Sequence, residues 1–418
     1  MKKVLILCDM FPPAFGPRMG YLCKYLKVSG WEAVVLTEAI PDQTFTFLTG
    51  NCPVTYINYF PARTQWLRKL QWVVTFVLNS CFGYKEYRFY QEAERLIRKQ
   101  GFDLILCSTY RTFPLPAALK AAHHYHLPLV VDTRDIIEQY TGSEYITHAL
   151  PKVFGLDKLF ARWFKWTNLR ARNRVLRQAD YVTTVSPWHA EVMKQYNPKV
   201  ELIYNGFDPE LFFPEQPRTP QFVITYTGRL LSTAMRDPSL LLEALARLTG
   251  EGAFTPTQCR VHWYVDEASR NVIAREAEQA GVSAYMDFKG YVPASSIPAV
   301  LNHSSVLLLL TNRSAGIGPK GIMTTKFFES LAVQKPILCV RSDESCLESA
   351  LHEAKAGLSA RTVEEVCDFL RLYYAEWKVK GYTTSAADPT LLQAYSRKEQ
   401  ARQFMQIFDQ LTHSKTHE

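Results

Sequence analysis

Apolar residues follow two rhythms along this chain, short unbroken runs and runs spaced for one face of a helix, and the two alternate almost throughout. The alternation is densest between Val306 and Val340. Val306 to Leu310 is an unbroken apolar run too short to cross a membrane, and a loop holding Gly316, Gly318 and Gly321 follows it. Phe327, Phe328, Leu331 and Ala332 then fall at helical spacing, and Pro336 introduces a second apolar run. Strand, loop, helix, strand is the prediction. In a parallel sheet such a loop lies at the carboxyl ends of the strands, where open α/β sheets bind ligands. The helix behind it offers unpaired N–H groups and a positive dipole end to an anion.

The same reading extends in both directions. Lys3 to Leu7 is a strand, and the loop from Phe11 to Gly20, with Pro12, Pro13, Gly16 and Pro17, defers any helix until about Met19. That helix runs to Val28, Gly30 stops it, and Ala33 to Thr37 is the next strand. Helices over 65–78 and 84–100 follow, then strands over 104–107 and 129–131 flanking a helix over 115–124, then a strand over 181–186 and a helix over 187–195. The proline-rich FFPEQPRTPQ reads as a linker. Beyond it a second series begins with a strand over 222–230, a helix over 238–248, a strand over 260–265 and a helix over 269–280. The expected class is α/β with two doubly wound halves, 1–212 and 220–390, and a C-terminal helix over 393–412 assigned to the first.

Composition narrows this little. At 418 residues, 47% apolar and 21% charged, the chain is globular. Nine scattered cysteines without C-x-x-C spacing suggest reduced thiols and a cytoplasmic setting. The opening MKKVLILCDM reads as a first strand, because Asp9 interrupts its apolar run too early for a signal-peptide core, and no stretch is apolar for the length of a membrane span.

The distribution of the +8 formal charge is more informative than its sum. From Lys152 to Arg177 eight basic residues face one acid, Asp157, with Phe154, Leu159, Phe160, Trp163, Phe164 and Trp166 interleaved. Such a segment suits an amphipathic helix lying on an anionic membrane, which would make the chain peripheral on the inner face. It equally suits a solvated helix packed on its own sheet. No nucleic-acid-binding motif accompanies the charge.

Candidate chemistry gathers where strands are expected to end. Gly16 and Arg18 follow the first strand, and Arg134 and Asp135 follow the strand that precedes DTRD. Lys326 and Glu329 sit three apart on the helix behind the glycine-rich loop; on an exposed helix they would form a minor surface ion pair, and behind that loop they are donor-binding candidates, the carboxylate suiting a ribose while the helix amides meet phosphate. Gly316, Gly318 and Gly321 spell G-x-G-x-x-G, but Pro319 removes an amide that would face a pyrophosphate. Neither a D-x-D on a suitable loop nor a His/Cys cluster with ligand spacing is present, so no metal or cofactor is expected.

Several blocks then agree in order: FPPAFGPR, VTTVSPWHAEVM, VELIYNGFDPELF, ITYTGRL, GYVPASSIPAVLNHSSVLLLL and TKFFESLAVQKPIL. Together they resemble GT-B glycosyltransferases, and most closely glycosyltransferase family 4, over nearly the whole chain. The resemblance implies two Rossmann-like domains facing a cleft, a sugar-nucleotide donor held mainly by the second, and a polysaccharide or lipid-linked glycan acceptor facing the first. It also implies retention of anomeric configuration without a metal. Arg229, in TGRL, matches the arginine at the donor diphosphate, with Gly228 before it a donor-binding candidate, and the usual lysine partner falls on Arg236, which keeps the charge. Glu329 matches the second glutamate of the E-x7-E motif, where it accepts the nucleotide ribose, while the first glutamate is replaced by Gly321. Arg134 stands where a histidine is common. A sugar-nucleotide epimerase and a catalytically inactive scaffold share the fold and are the competing readings.

Overall fold

A computed structural model of the chain describes residues 1–59, 67, 74–75, 77–79, 82–140, 156–230, 232–233, 235–311 and 321–413. The chain forms two compact units, Met1–Tyr204 with Gln400–Glu418, and Asn205–Glu399.

The first unit is built on a parallel sheet of seven strands in the order β3-β2-β1-β4-β5-β6-β7 among the described residues. The strands are β1 (Lys2–Cys8), β2 (Trp31–Glu38), β3 (Val54–Ile57), β4 (Leu104–Thr109), β5 (Leu129–Thr133), β6 (Tyr181–Thr184) and β7 (Val200–Leu202). β1, β4 and β5 are buried on both faces, which is why their sequences read as continuous apolar runs with no alternation. Helix α1 (Pro17–Leu26) follows β1, α2 (Tyr84–Gln100) precedes β4, α3 (Leu115–Tyr125) joins β4 to β5, α4 (Leu156–Leu176) precedes β6, and α5 (Pro187–Lys194) joins β6 to β7. Helix α1 starts two residues before the expected Met19, because Pro17 occupies its first turn, where a missing N–H costs nothing. The expected helix over 65–78 lies mostly outside the described residues.

The second unit repeats the plan with β8 (Phe222–Thr227), β9 (Cys259–Tyr264), β10 (Met286–Phe288), β11 (Val306–Leu310), β12 (Ile337–Val340) and β13 (Gly357–Ala360), all parallel, in the order β10-β9-β8-β11-β12-β13. Its helices are α6 (Ser239–Gly250), α7 (Glu267–Gln279), α8 (Ile297–Asn302), α9 (Thr325–Ala332), α10 (Cys346–Glu353), α11 (Val363–Lys380) and α12 (Pro389–Leu392). In both sheets the strand order reverses beside the strand that opens the unit, β1 or β8, and that is the topological switch point of a doubly wound fold.

The units divide after Tyr204, ahead of the proline-rich linker expected to mark the boundary. Tertiary packing decides this. Phe207 and Phe212 are buried with Leu301, Leu307, Ala332 and Val333 of the second unit, and Phe207 pairs with Ser396. The last helix, α13 (Arg397–His413), sends Phe404, Ile407 and Phe408 into the first unit's core beside Val4, Ile6 and Trp31.

Candidate functional site

In the second unit the switch-point loops bring four expected residues together. β8 ends at Thr227, and Gly228 follows with φ 115°, a conformation that L side chains rarely adopt. A Cβ there would collide with the Lys326 side chain, so glycine makes the space in which that amine lies. Lys326, on the first turn of α9, holds Nζ 5.0 Å from the centre of the Tyr226 ring. Burial, and the Arg236 guanidinium beside it, push the Lys326 amine down to about 7. Arg236 donates to the backbone carbonyl of Arg229, which also accepts from the Tyr226 hydroxyl at 3.0 Å.

Glu329 lies one turn further along α9. Burial pushes its carboxyl up to about 7, against the pull of Arg397 and Lys326. No hydrogen bond or ion pair among the described residues uses its carboxylate or the Lys326 amine. The surface ion-pair reading of these two residues is therefore set aside, since neither is fully exposed and they do not bond to each other. Gly321 has φ 66°, so the position where family 4 carries its first glutamate is wound left-handed here, a conformation glycine adopts without steric cost. Gly316 and Gly318 lie outside the described residues.

Arg229 and Arg236 have different surroundings. The Arg229 side chain is 71% exposed and reaches Asp266 at 3.3 Å, whereas Arg236 is the cation whose charge is felt at Lys326. Arg397 and Tyr226 belong to this cluster and were not foreseen. Arg397 donates to Asn205 at 3.1 Å and is buried, and its influence on Glu329 crosses a sequence distance that no local pattern reports.

In the first unit the strand ends carry a second polar cluster. Arg134 pairs with Asp9, its backbone N–H donates to Thr109 at 2.9 Å, and its guanidinium lies 5.8 Å from the centre of the Tyr110 ring. The Arg134 Nε is buried without a hydrogen-bond partner among the described residues. Asp135, next to it, accepts from Gln139 at 3.3 Å, and burial pushes its carboxyl up to about 6. Asp9 was missed as a site residue, although an acid directly after the first strand occupies the same kind of position as Asp135.

Two expected donor contacts are corrected. Arg18 is buried, donates to Asp132 at 3.0 and 2.8 Å and to the carbonyls of Ile203 and Tyr204, and lies over Phe404, so its guanidinium is committed inside the fold. Burial opposes ionisation of Asp132, but Arg18 and the hydroxyls of Thr183 and Ser108 hold its carboxyl below the usual range. Gly16 is required by its own loop, because a Cβ there would lie 2.6 Å from the Met10 carbonyl oxygen and 2.8 Å from the Phe11 Cα. Among the described residues no group of three His, Cys, Asp or Glu side chains is placed to hold a metal ion, and no helix is long and apolar enough to cross a membrane.

Residues 18–211 match the model of Glycosyltransferase Family 4. That match covers just under half of the chain, in its first unit, and the fold of the whole is that of GT-B glycosyltransferases. Sucrose-phosphate synthase from Thermosynechococcus elongatus is similar over 99% of this chain and 100% of its own, with a TM-score of 0.66 at 13% identity. HepE from Anabaena, solved with UDP-glucose, is similar over 98% and 100%, with a TM-score of 0.64 at 15% identity. The lipopolysaccharide outer core galactosyltransferase WaaB is similar over 98% and 99%, with a TM-score of 0.58 at 12% identity. Among curated proteins none matches the sequence significantly.

Proposed function

We propose that this protein is a glycosyltransferase that moves a sugar from a nucleoside diphosphate donor to a hydroxyl of a polysaccharide or lipid-linked glycan, with retention of anomeric configuration and without a metal ion. One observation carries the reading. A half-buried amine, Lys326, lies over a glycine at the switch point beside Arg236, and one helical turn away Glu329 presents a carboxylate without a bonded partner among the described residues. Two cations with no bonded acid suit a diphosphate, and a carboxylate with free lone pairs suits the two hydroxyls of a ribose. The sugar nucleotides seen in HepE make such a donor the natural candidate.

In the transfer, the acceptor oxygen bonds to the anomeric carbon as the bond from that carbon to the diphosphate oxygen breaks. The electron pair leaves on the diphosphate, and the acceptor proton passes to a departing phosphate oxygen. Negative charge grows on the leaving group, and Arg236 and Lys326 are the fixed positive charges that stabilise it. Glu329 orients the nucleotide. Arg229 provides a third, exposed cation at the surface, and Arg134 and Asp135 are the catalytic candidates of the first unit.

A thermal-shift panel of nucleoside diphosphates tests the donor class, because a ligand at a hundred times its dissociation constant stabilises by about 2.7 kcal/mol. Incubation with sugar nucleotides follows, with and without glycan acceptors. Transfer that needs an acceptor supports the proposal. Conversion of the sugar without acceptor points to an epimerase, and neither binding nor turnover points to an inactive scaffold.

A further inference from the structure

The basic, aromatic-rich segment that the sequence singles out forms α4, and its placement assigns it a role outside the donor site. Leu159, Phe160, Trp163 and Trp166 share one face at helical spacing and are 66%, 38%, 53% and 55% exposed. Trp163 is thus not packed on its own sheet. Continued along the helix, the same stripe becomes cationic at Arg170 and Arg174. Beside these two residues α3 and α4 enclose a groove of about 750 Å³, lined among the described residues by the buried Leu119 and Val175 and by Lys120, whose amine lies 4.1 Å from the centre of the Tyr90 ring, and by no aspartate or glutamate. The Arg170 guanidinium lies 5.4 Å from the centre of the Trp166 ring, at the point where the stripe turns from apolar to charged.

Among the described residues no acid neutralises the exposed charges on this face. Lys120, Lys158, Arg162, Arg170 and Arg174 have no acidic partner among the described residues, whereas Arg95 and Arg98 of α2 pair with Glu92 and Glu94 on their own helix. Arg172, by contrast, is withdrawn from the basic face, being buried and bonded to Glu138 at 2.7 and 2.5 Å.

We propose that this face docks on an anionic phospholipid bilayer, with the aromatic half of α4 at the interface and one lipid seated in the α3/α4 groove. The acyl chain lies against Leu119 and Val175, and the phosphate meets Arg170, Arg174 and Lys120. An occupant both apolar and anionic is what the surface complements, since tryptophan favours the water–lipid boundary and the basic heads meet phosphate. The inference does not depend on the donor site.

Full-length protein is mixed with vesicles of phosphatidylcholine alone and of phosphatidylcholine with phosphatidylglycerol, and sedimented. Binding to the second, much less to the first, and release by added salt are expected. With Lys120→Glu, Arg170→Glu and Arg174→Glu combined, partitioning falls on the order of a hundredfold, each basic residue contributing about fivefold. Lipids brominated along the acyl chain quench tryptophan emission less when Trp163 and Trp166 are both replaced by Phe, while the melting temperature of each variant reports that it still folds. Equal partitioning onto both vesicle types, or none onto either, overturns the proposal. So does a dimer in solution that the same three reversals dissociate, since a second copy would then be the occupant.

Discussion

The two units place charged side chains in the same topological region, at the carboxyl ends of their strands and in the loops and helices that follow, and treat them in opposite ways. In the first unit Asp132 is enclosed by Arg18, Thr183 and Ser108 and its carboxyl is held ionised, and Arg134 is paired with Asp9. In the second, Lys326 and Glu329 have no bonded partners among the described residues, and burial shifts both toward neutrality. A buried ion that is already paired and hydrogen-bonded supports the fold. One kept short of compensation is costly in the empty protein and gains most when a ligand of opposite charge arrives.

The contrast is tested most strongly at Arg18. Arg18→Ala leaves Asp132 buried and uncompensated, and is expected to cost about 3–5 kcal/mol of stability, read from urea unfolding, while nucleoside diphosphate affinity of the folded fraction stays unchanged. A loss of affinity with no loss of stability would return Arg18 to the binding site.

Arg236→Ala is expected to leave stability nearly untouched and to raise the transfer barrier by about 3 kcal/mol, seen as a fall in kcat. Arg229→Ala is expected to have a much smaller effect, because its side chain is largely exposed and its surface pair with Asp266 is weak. Equal losses for the two arginines would mean that the exposed one swings in when the donor binds.

Glu329→Gln should weaken nucleoside diphosphate binding by about 2 kcal/mol, the scale of a hydrogen bond to a charged group, and should raise KM before it lowers kcat. Calorimetry at mildly alkaline pH, where the carboxyl is ionised, measures it. Unchanged affinity would leave the Glu329 carboxylate without a ligand role.

The smallest effect is a pH profile. Lys326 carries its proton below about 7, and Glu329 has lost its own above about 7. A diphosphate needs the ammonium and a ribose needs the carboxylate, so affinity should peak near neutrality and fall on each flank by up to about tenfold per pH unit. Binding raises the Lys326 pKa and lowers that of Glu329. Protons are therefore taken up on the alkaline side and released on the acid side, as calorimetry in buffers of different ionisation heat reports. A flat profile would show that the two groups are not in contact with the ligand.

Much of this protein is set by local pattern. The runs at Val4 to Leu7, Leu104 to Cys107 and Val306 to Leu310 are legible as central strands because a parallel strand covered on both faces must be apolar at every position. Lys326 and Glu329 are legible as candidates because a switch-point loop and the helix behind it occupy a short continuous stretch, whereas Gly228 is singled out only by the resemblance that its block carries. Tertiary structure decided what depends on distant partners. Arg18 reads like a loop-end ligand residue until Asp132 is brought against it by the pairing of β1 with β4 and β4 with β5. Arg172 reads like one more basic residue on α4 until Glu138 meets it, and Arg397 reaches Glu329 only after the chain has completed the second unit. Periodicity reports which face of an element is buried; which charge meets which is fixed only when the strands take their order in the sheet.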